Sequence, residues 1–238
     1  MRPMLAFDTS TPCARVAVLS PAGDCLATAE KTAARHSSNL LRLCDEVLCA
    51  TGATVSELAA IACGAGPGSF TGLRVGLAVA KGLALADGIP LVLVSSLDAL
   101  AVDLVGLGST TLVLPCIDAG KGQVYGRLYR AAGEAPAPIG GDEIALLPEE
   151  LCRLVQAQAA GAAVVAGGNG GDRYLEFFRA QLGAEAVRVH IAGPSALAVG
   201  RLALARLARG ERDDLETSVP RYGRPPDITR PRDRNPGA

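Results

Sequence analysis

The sequence predicts an α/β fold built from two copies of one plan. Short apolar runs, typical of buried strands, alternate with segments that have the periodicity of helices. A strand, polar turn and strand near the start of the chain are repeated near its middle. The chain has 238 residues, of which 49% are hydrophobic, and this is enough to bury one large core or two smaller ones. We expect two lobes.

The first copy begins with two strands and a polar turn. Residues 4–7 are apolar, Asp8-Thr9-Ser10-Thr11 interrupts them, and residues 14–19 form a second apolar run. After the turn-forming residues 20–24, residues 25–29 are predicted to return as a third strand. The later elements of this copy are a helix opened by His36-Ser37 and ended by Gly52, a strand over 59–63, a helix over 70–86, a strand over 91–94 and a helix over 96–105.

The second copy follows the same order. An apolar strand over 111–117 is closed by Asp118-Ala119-Gly120, and residues 123–129 return as its hairpin partner. Later elements are an insertion rich in Pro and Gly, a helix over 148–159, a strand over 163–166, a glycine loop over 167–171, and helices over 173–182 and 195–208. The predicted boundaries are an N-terminal lobe over 1–105, a C-terminal lobe over 106–215, and a flexible or extended tail over 216–238 that is rich in Pro and Arg.

Composition argues against several functions. With 23 Lys plus Arg against 24 Asp plus Glu, the net charge is −1, so the chain alone is a poor binder of nucleic acid. Only 3% of residues are aromatic, which leaves few platforms on which bases could stack. Seven cysteines without a CxxC pair predict neither a zinc site nor a disulfide framework. No apolar run is long enough for a membrane span, and we expect a soluble, cytoplasmic protein.

The loop over 64–69 and the helix after it each allow two interpretations. Between a strand and a helix, the loop could cradle a phosphate, yet it lacks the Gly-Lys-Ser/Thr of a P-loop and the third glycine of a dinucleotide loop. It could equally be a tight turn with Ser69 as helix N-cap. In the helix, Gly72, Gly76, Ala80 and Ala84 recur every four residues. Such a small-residue ridge permits close contact, either with the chain's own sheet or with a second chain.

Two turns are weak candidates for a nucleotide site. Asp8-Thr9-Ser10 and Asp118-Ala119-Gly120 each follow the first strand of a copy, where carboxylates and hydroxyls could face a metal–phosphate group, and Gly168 lies in the second glycine loop. The alternative is ordinary Asx-turn formation. His36 and His190 pair with no Ser or Cys in any recognisable pattern, so we predict no catalytic residue and no metal ligand.

Residues 64–84, Gly-Ala-Gly-Pro-Gly-Ser-Phe-Thr-Gly-Leu-Arg-Val-Gly-Leu-Ala-Val-Ala-Lys-Gly-Leu-Ala, closely resemble the TsaB (YeaZ) family. The resemblance extends to Asp8-Thr9-Ser10-Thr11, to Ser95-Ser96-Leu97-Asp98, to Asp118 and to the Pro220–Arg224 end. It implies two ribonuclease H-like lobes of the actin-like ATPase (ASKHA) superfold. It also implies a role in the synthesis of threonylcarbamoyladenosine on tRNA.

The resemblance further implies that catalysis belongs to a paralogue, TsaD. That paralogue binds a metal through an HxxxH pair, and Ser96 and Leu100 stand at the equivalent positions here, where they cannot replace two imidazoles. The implied role is a non-catalytic scaffold that pairs with TsaD, activates it and supports binding of the ATPase TsaE. A homodimer would form without TsaD, tRNA would be bound only through the complex, and ATP and a metal would belong to the wider complex.

The family pairs through the helices opened by His36 and Ser69. The interface residues predicted here are Leu40, Leu41, Cys44, Val47, Leu48, Ser69, Phe70, Gly72, Leu73, Gly76 and Ala80. On this basis leucine at position 76 is expected to leave the monomer folded and to block pairing. The alternative function is an independent enzyme of the same superfold, either an ATP-dependent phosphotransferase or a glycoprotease.

Overall fold

The computed structural model describes residues 2–32, 40–105, 112–131, 135–183 and 191–224, and it contains two mixed sheets. In the first sheet the strand order is β3-β2-β1-β4-β5, with β2 antiparallel to both neighbours and β4 and β5 parallel to β1. This order agrees with the predicted ribonuclease H-like plan. The strands are β1 (Met4–Asp8), β2 (Cys13–Leu19), β3 (Cys25–Thr32), β4 (Ala60–Gly64) and β5 (Leu91–Val94).

Strand β1 is buried along its whole length because both faces of the first sheet are covered. Leu5 and Phe7 pack into one hydrophobic core, whereas Met4 and Ala6, which point the opposite way, pack into another. Helices α1 (Leu40–Thr51) and α2 (Phe70–Asp87) lie over the first of these cores. The predicted opening of α1 at His36-Ser37 lies outside the described residues.

The second sheet repeats the first strand, the hairpin and the later parallel strand, with more elements than predicted. Its order is β10-β7-β6-β8-β9, and β11 pairs with β6 in parallel. The single strand predicted over 123–129 is two strands, because β6 pairs through one end with β7 and through the other with β8. The strands are β6 (Leu112–Gly120), β7 (Gln123–Gly126), β8 (Leu128–Arg130), β9 (Ala137–Ile139), β10 (Ala145–Leu146) and β11 (Val164–Gly167).

The helices near the second sheet also differ in one place from the prediction. Instead of an open glycine loop after β11, a short helix α5 (Asn169–Arg173) forms there. The other two are α4 (Pro148–Ala159) and α6 (Leu175–Leu182). Among the described helices of the chain, none combines the length and apolarity that crossing a membrane requires.

The last helix, α7 (Ala196–Ala208), packs on the first sheet although it falls within the range predicted for the second lobe. Its small side chains, including Ala198 and Ala203, allow close approach to β1 and β2. A Cβ at Gly200 would lie 2.4 Å from Cδ1 of Leu19, so a larger residue here would require the buried Leu19 side chain to move. Sequence periodicity predicted the helix but could not show which sheet it covers.

Helix α3 (Ser96–Val105) lies between the two sheets and contributes to both cores. Ala99 packs with residues of the first sheet, while Leu97, Leu100 and Leu104 pack with the second. Asp103 also accepts hydrogen bonds from the backbone N–H and the hydroxyl of Ser195, both at 2.7 Å, at the N-cap of α7. Helix α3 therefore couples the two sheets and positions the last helix.

We expect Leu100→Ala to reduce the free energy of unfolding by about 2–5 kcal/mol, because Leu100 is fully buried where α3 meets the second sheet. Urea denaturation monitored by circular dichroism measures the loss. Leu154→Ala on α4, where the side chain is 46% exposed, is the control and should change stability by less than about 0.5 kcal/mol. Equal effects of the two substitutions would contradict the assignment of α3 as the shared element.

Candidate functional site

The turn after β1 meets the end of β4 and the start of α3 at a buried carboxylate. Asp8 is 1% exposed. Its Oδ1 accepts from the backbone N–H of Ser10 at 2.8 Å and from the Ser10 hydroxyl at 2.6 Å, and its Oδ2 accepts from the Ser96 hydroxyl at 2.7 Å. Burial raises the pKa of Asp8 above its ordinary value, against the opposing effect of these hydrogen bonds. The carboxyl group thus joins β1 to α3 inside the molecule.

Glycines allow the loop after β4 and the start of α2 to touch this turn. A Cβ at Gly64 would lie 1.9 Å from Oδ2 of Asp8, and one at Gly72 would lie 2.1 Å from the carbonyl oxygen of Thr9. Across the same contact, the Thr9 hydroxyl donates to the carbonyl of Gly72 at 2.8 Å. Ser69 caps α2, its hydroxyl accepting from the N–H of Gly72 at 3.2 Å. The loop is therefore packed as a tight turn, with Ser69 as the N-cap of α2.

The candidate nucleotide residues have partners within the chain. Thr9 and Ser10 are buried like Asp8. Asp118 accepts from the N–H of Gly120 at 3.0 Å and forms a 2.8 Å ion pair with Arg173. A Cβ at Gly168 would lie 2.1 Å from the carbonyl oxygen of Cys116, so this glycine serves close packing. Nucleotide binding by these residues stays a prediction.

The small-residue ridge of α2 faces inward. Gly72, Gly76 and Ala80 are all buried, and a Cβ at Gly76 would lie 2.3 Å from the Thr9 hydroxyl oxygen. This placement corrects the prediction that the ridge is an outer contact surface. It also corrects the expectation for leucine at position 76, because that side chain would collide with Thr9 in the isolated chain.

Most of the other predicted interface residues are also part of the chain's own core. On α1 and α2 the structure buries Leu40, Cys44, Val47, Leu48 and Leu73. Ser69 is half-buried as the helix cap. Leu41 and Phe70 are different, with 53% and 46% of their surface exposed. Of the predicted residues, these two are the ones that present large apolar groups to solvent.

The opposite face of α2 carries an apolar surface that the sequence reasoning missed. Its members recur at helical spacing and carry no charge: Thr71, Val75, Ala78, Gly82 and Leu85, which we term the outer stripe. Gly82 is exposed, and a Cβ built on it would meet nothing within 4 Å. A mid-helix glycine costs about 1 kcal/mol relative to alanine, and the fold itself gives no reason for that cost here. The sequence did contain a signal for this face, because Gly82 falls outside the four-residue spacing that the ridge residues share.

Ser96 and Leu100, which the resemblance aligns with the paralogue's expected metal ligands, make other contacts in this structure. Besides donating to Asp8, the Ser96 hydroxyl accepts from the N–H of Gly66 at 3.2 Å, and Leu100 is fully buried. Within the described ranges, no group of three or more His, Cys, Asp or Glu side chains is arranged to hold a metal ion. His36 and His190 lie outside those ranges. All seven cysteines are free thiols, and Cys25 and Cys49 are exposed.

Comparison with known proteins places this architecture in a defined class. The family model described as "TsaD: tRNA N6-adenosine threonylcarbamoyltransferase" matches residues 28–208. The activator of the 2-hydroxyisocaproyl-CoA dehydratase from Clostridium difficile superposes with a TM-score of 0.52 at 11% identity, over 87% of this chain and 96% of that one. At that identity the likeness concerns the fold alone. The fold is that of the actin-like ATPases, as predicted, and the chain belongs to the matched family.

More similar proteins narrow the assignment. YeaZ from Pseudomonas aeruginosa superposes with a TM-score of 0.80 at 31% identity, over 93% of this chain and 100% of that one. The tRNA threonylcarbamoyladenosine biosynthesis protein TsaB of Escherichia coli is 36% identical over 127 residues, 53% of this chain and 54% of that protein. The chain spans about half the length of the curated relatives it matches. Within the matched family, it is a member of the TsaB (YeaZ) group.

We expect Asp8→Asn to gain stability relative to the wild type as pH rises. Because burial holds the pKa of Asp8 above 3.8, the folded protein keeps its proton at pH values where the unfolded chain has lost it. The stability contributed by this group is therefore complete below pH 3.8 and declines as pH rises through the folded pKa. Urea titrations between about pH 3.5 and pH 7 test this, and a difference between the proteins that does not vary with pH would contradict it.

Two glycine substitutions on α2 should have opposite effects. Gly72→Ala introduces a Cβ 2.1 Å from the Thr9 carbonyl oxygen, and we expect it to cost about 1–3 kcal/mol of stability. Gly82→Ala introduces a Cβ into open space and should stabilise the isolated chain by about 1 kcal/mol. Thermal and urea unfolding of both variants give the signs. Stabilisation by Gly72→Ala would show that the inner face is not closely packed.

Proposed function

We propose that this chain is a non-catalytic subunit of the machinery that synthesises threonylcarbamoyladenosine on tRNA. In this proposal it pairs with the catalytic subunit TsaD and holds it in an active arrangement. The pair also provides the surface on which the ATPase TsaE binds. The observation that carries the proposal is the outer stripe, an uncharged and closely approachable helix face whose members are exposed in the monomer apart from the half-buried Val75.

Family membership supports the pathway. The E. coli relative is named for tRNA threonylcarbamoyladenosine biosynthesis, and the same name belongs to relatives from Haemophilus influenzae and Bacillus subtilis. The matched family model is that of the transferase itself. A chain that shares the transferase fold yet belongs to the TsaB group is suited to associate with a structurally similar partner, since related folds often pair through equivalent elements.

The residues at the metal-equivalent positions support a non-catalytic role. Ser96 is committed to hydrogen bonds with Asp8 and Gly66, and Leu100 lies in the core between α3 and the second sheet. A single hydroxyl and an alkyl side chain supply no pair of nitrogen ligands for a transition metal. We propose that ATP and the metal are held elsewhere in the assembly. No observation on the described residues favours an independent phosphotransferase or protease.

The geometry of the outer stripe suits a helix of the partner. Ala78 and Gly82 at its centre allow a second helix to approach closely, and Val75 and Leu85 add apolar area beside them. Leu41 of the neighbouring helix α1 and Phe70 at the start of α2 are exposed large apolar side chains of the same two helices. Arg74 and Lys81 give one side of the stripe a positive edge. A partner helix with small and apolar residues and an acidic edge would complement this surface.

The same surface explains the proposed homodimer. A helix face made of small residues is compatible with a second copy of itself, and two copies would compete with TsaD for one site. We therefore propose that homodimers form only when TsaD is absent. In the complex, tRNA would be contacted mainly by the other subunits, because this chain carries a net charge of −1.

Substitutions at the centre of the outer stripe test the proposal. Gly82→Leu and Ala78→Glu should each weaken association with purified TsaD by about thirtyfold or more, because a bulky or charged group prevents close helix contact. Neither change meets the chain's own core, so the variants should keep the wild-type melting temperature within a few degrees. Sedimentation velocity with and without TsaD measures both pairing and self-association.

Ala157→Glu provides the matched control. Ala157 is an exposed alanine on α4, beside the second sheet and away from the stripe, so the same charge there should leave pairing unchanged. Wild-type affinity of Gly82→Leu for TsaD would contradict the proposed surface. Transfer of threonylcarbamoyl to tRNA by the purified chain alone would contradict the non-catalytic role.

A further inference from the structure

The C-terminal segment is bound to both sheets over the part that the structure describes. Residues 221–224 lie across the glycine loop after β4 and reach the hairpin of the second sheet. The tail was predicted to be flexible or extended; these contacts hold residues 221–224 in place, while residues 225–238 lie outside the described part of the chain. The segment contacts the glycine loop and the start of α2 on one side, and strands of the second sheet on the other.

On the first side the contacts are to the glycine loop and the start of α2. The N–H of Arg221 donates to the carbonyl of Ala65 at 2.7 Å. The ring of Tyr222 packs on that of Phe70, with centroids 4.7 Å apart and planes inclined by 33°. Arg74 joins both rings, because its guanidinium lies 4.3 Å from the Phe70 centroid and its Nε donates to the Tyr222 hydroxyl at 3.1 Å.

On the second side the contacts are to β7 and β10. The hydroxyl of Tyr125 donates to the carbonyl of Tyr222 at 2.9 Å, and the N–H of Ala145 donates to the carbonyl of Gly223 at 3.0 Å. Arg224 donates to the side-chain carbonyl of Gln123. Arg221 therefore bonds to the glycine loop, Tyr222 bonds to both sides, and Gly223 and Arg224 bond to the second sheet.

Gly223 fits between the two sides. Its φ of +58° favours glycine, and a Cβ there would lie 2.5 Å from the carbonyl oxygen of Glu143 and 3.2 Å from Cβ of Pro67. Glu143 precedes β10, and Pro67 is in the glycine loop. A larger residue at 223 would have to push the two apart.

We propose that residues 221–224 form a clamp that fixes the two sheets relative to each other and orders the first turn of α2. Two-lobed proteins commonly change the angle between lobes by rotation at a few hinge residues. Here a rotation that separates β7 and β10 from the glycine loop must break the hydrogen bonds of Tyr222 and Gly223 or those of Arg221. The clamp therefore stabilises a single relative orientation.

The clamp also bears on the docking surface, a consequence that rests on the proposed function. Phe70 and Arg74 lie at the start of α2, beside the outer stripe, and Tyr222 holds both of them. Ordering these side chains in advance lowers the entropic cost of binding a partner there. Loss of the clamp should therefore weaken pairing with TsaD without removing any residue of the stripe.

Hydrogen–deuterium exchange on the full-length chain tests the clamp without any partner. Tyr222→Ala removes the ring contacts, and Gly223→Val forces the segment out of its place by steric conflict. In both variants we expect faster exchange on both sides of the clamp. The backbone amides of residues 64–70 on one side, and of residues 123–126 and 145 on the other, should exchange about fivefold faster. Exchange in β3 and α4, which the clamp does not touch, should stay at the wild-type rate. Val219→Ala, two residues before the clamp and at a residue that is 68% exposed, is the control and should leave all rates unchanged.

Unchanged exchange at residues 64–70 and at 123–126 in both variants would overturn the proposal, and so would a change confined to one side. The melting temperature of each variant, measured by calorimetry, separates local release from general unfolding. Affinity for TsaD is measured on the same proteins, and Tyr222→Ala should lower it by about threefold to tenfold. If the wild-type chain does not bind TsaD at all, the proposed function fails, while the exchange result still decides the clamp.

Discussion

The structure depends on close packing between the turn after β1 and the first turns of α2, where no side chain separates the two backbones. The carbonyl and hydroxyl of Thr9 occupy the space where side chains of Gly72 and Gly76 would otherwise lie. No residue with a Cβ can replace Gly72 without moving the helix from the sheet. The rotation of α2 about its axis is thereby fixed, and with it which residues face the core and which face solvent.

Two functional consequences follow from that contact. Asp8 and its neighbours, which could present oxygens to a ligand in an open cleft, instead bond to Ser10, Ser96 and Gly72. The inward ridge also leaves Ala78 and Gly82 exposed on the opposite side of α2, a helix with few charges, whereas Val75 of the same stripe packs partly against the core. Polar groups that could have served chemistry thus contribute to the packing that exposes the proposed docking surface. A scaffold role agrees with both features.

Much of the fold follows from local sequence, whereas the faces of its helices do not. Alternating apolar runs and turn residues predicted the strands, and Ser69 was recognised as a possible cap because its position before an amphipathic run is a local signal. The ridge of Gly72 and Gly76 was assigned to the wrong side, since spacing shows that small residues share a face but not what the face meets. The packing of helix α7 and the contacts of the segment around Tyr222 were not foreseen for a related reason. Their partners, β1 and the glycine loop, are distant in sequence, and residues rich in Arg and Pro resemble a solvated tail.

Methyl NMR of the isotopically labelled chain during titration with unlabelled TsaD tests the proposed docking surface most directly. If the outward face of α2 binds the partner, the methyl signals of Val75, Leu85 and Leu41 lose intensity or shift at substoichiometric concentrations of TsaD. The signals of Leu147 and Leu154, beside the second sheet, keep their positions. Perturbation of Leu147 and Leu154 with no change at Val75 and Leu85 would show that the partner binds elsewhere, and the assignment of α2 as the interface would have to be abandoned.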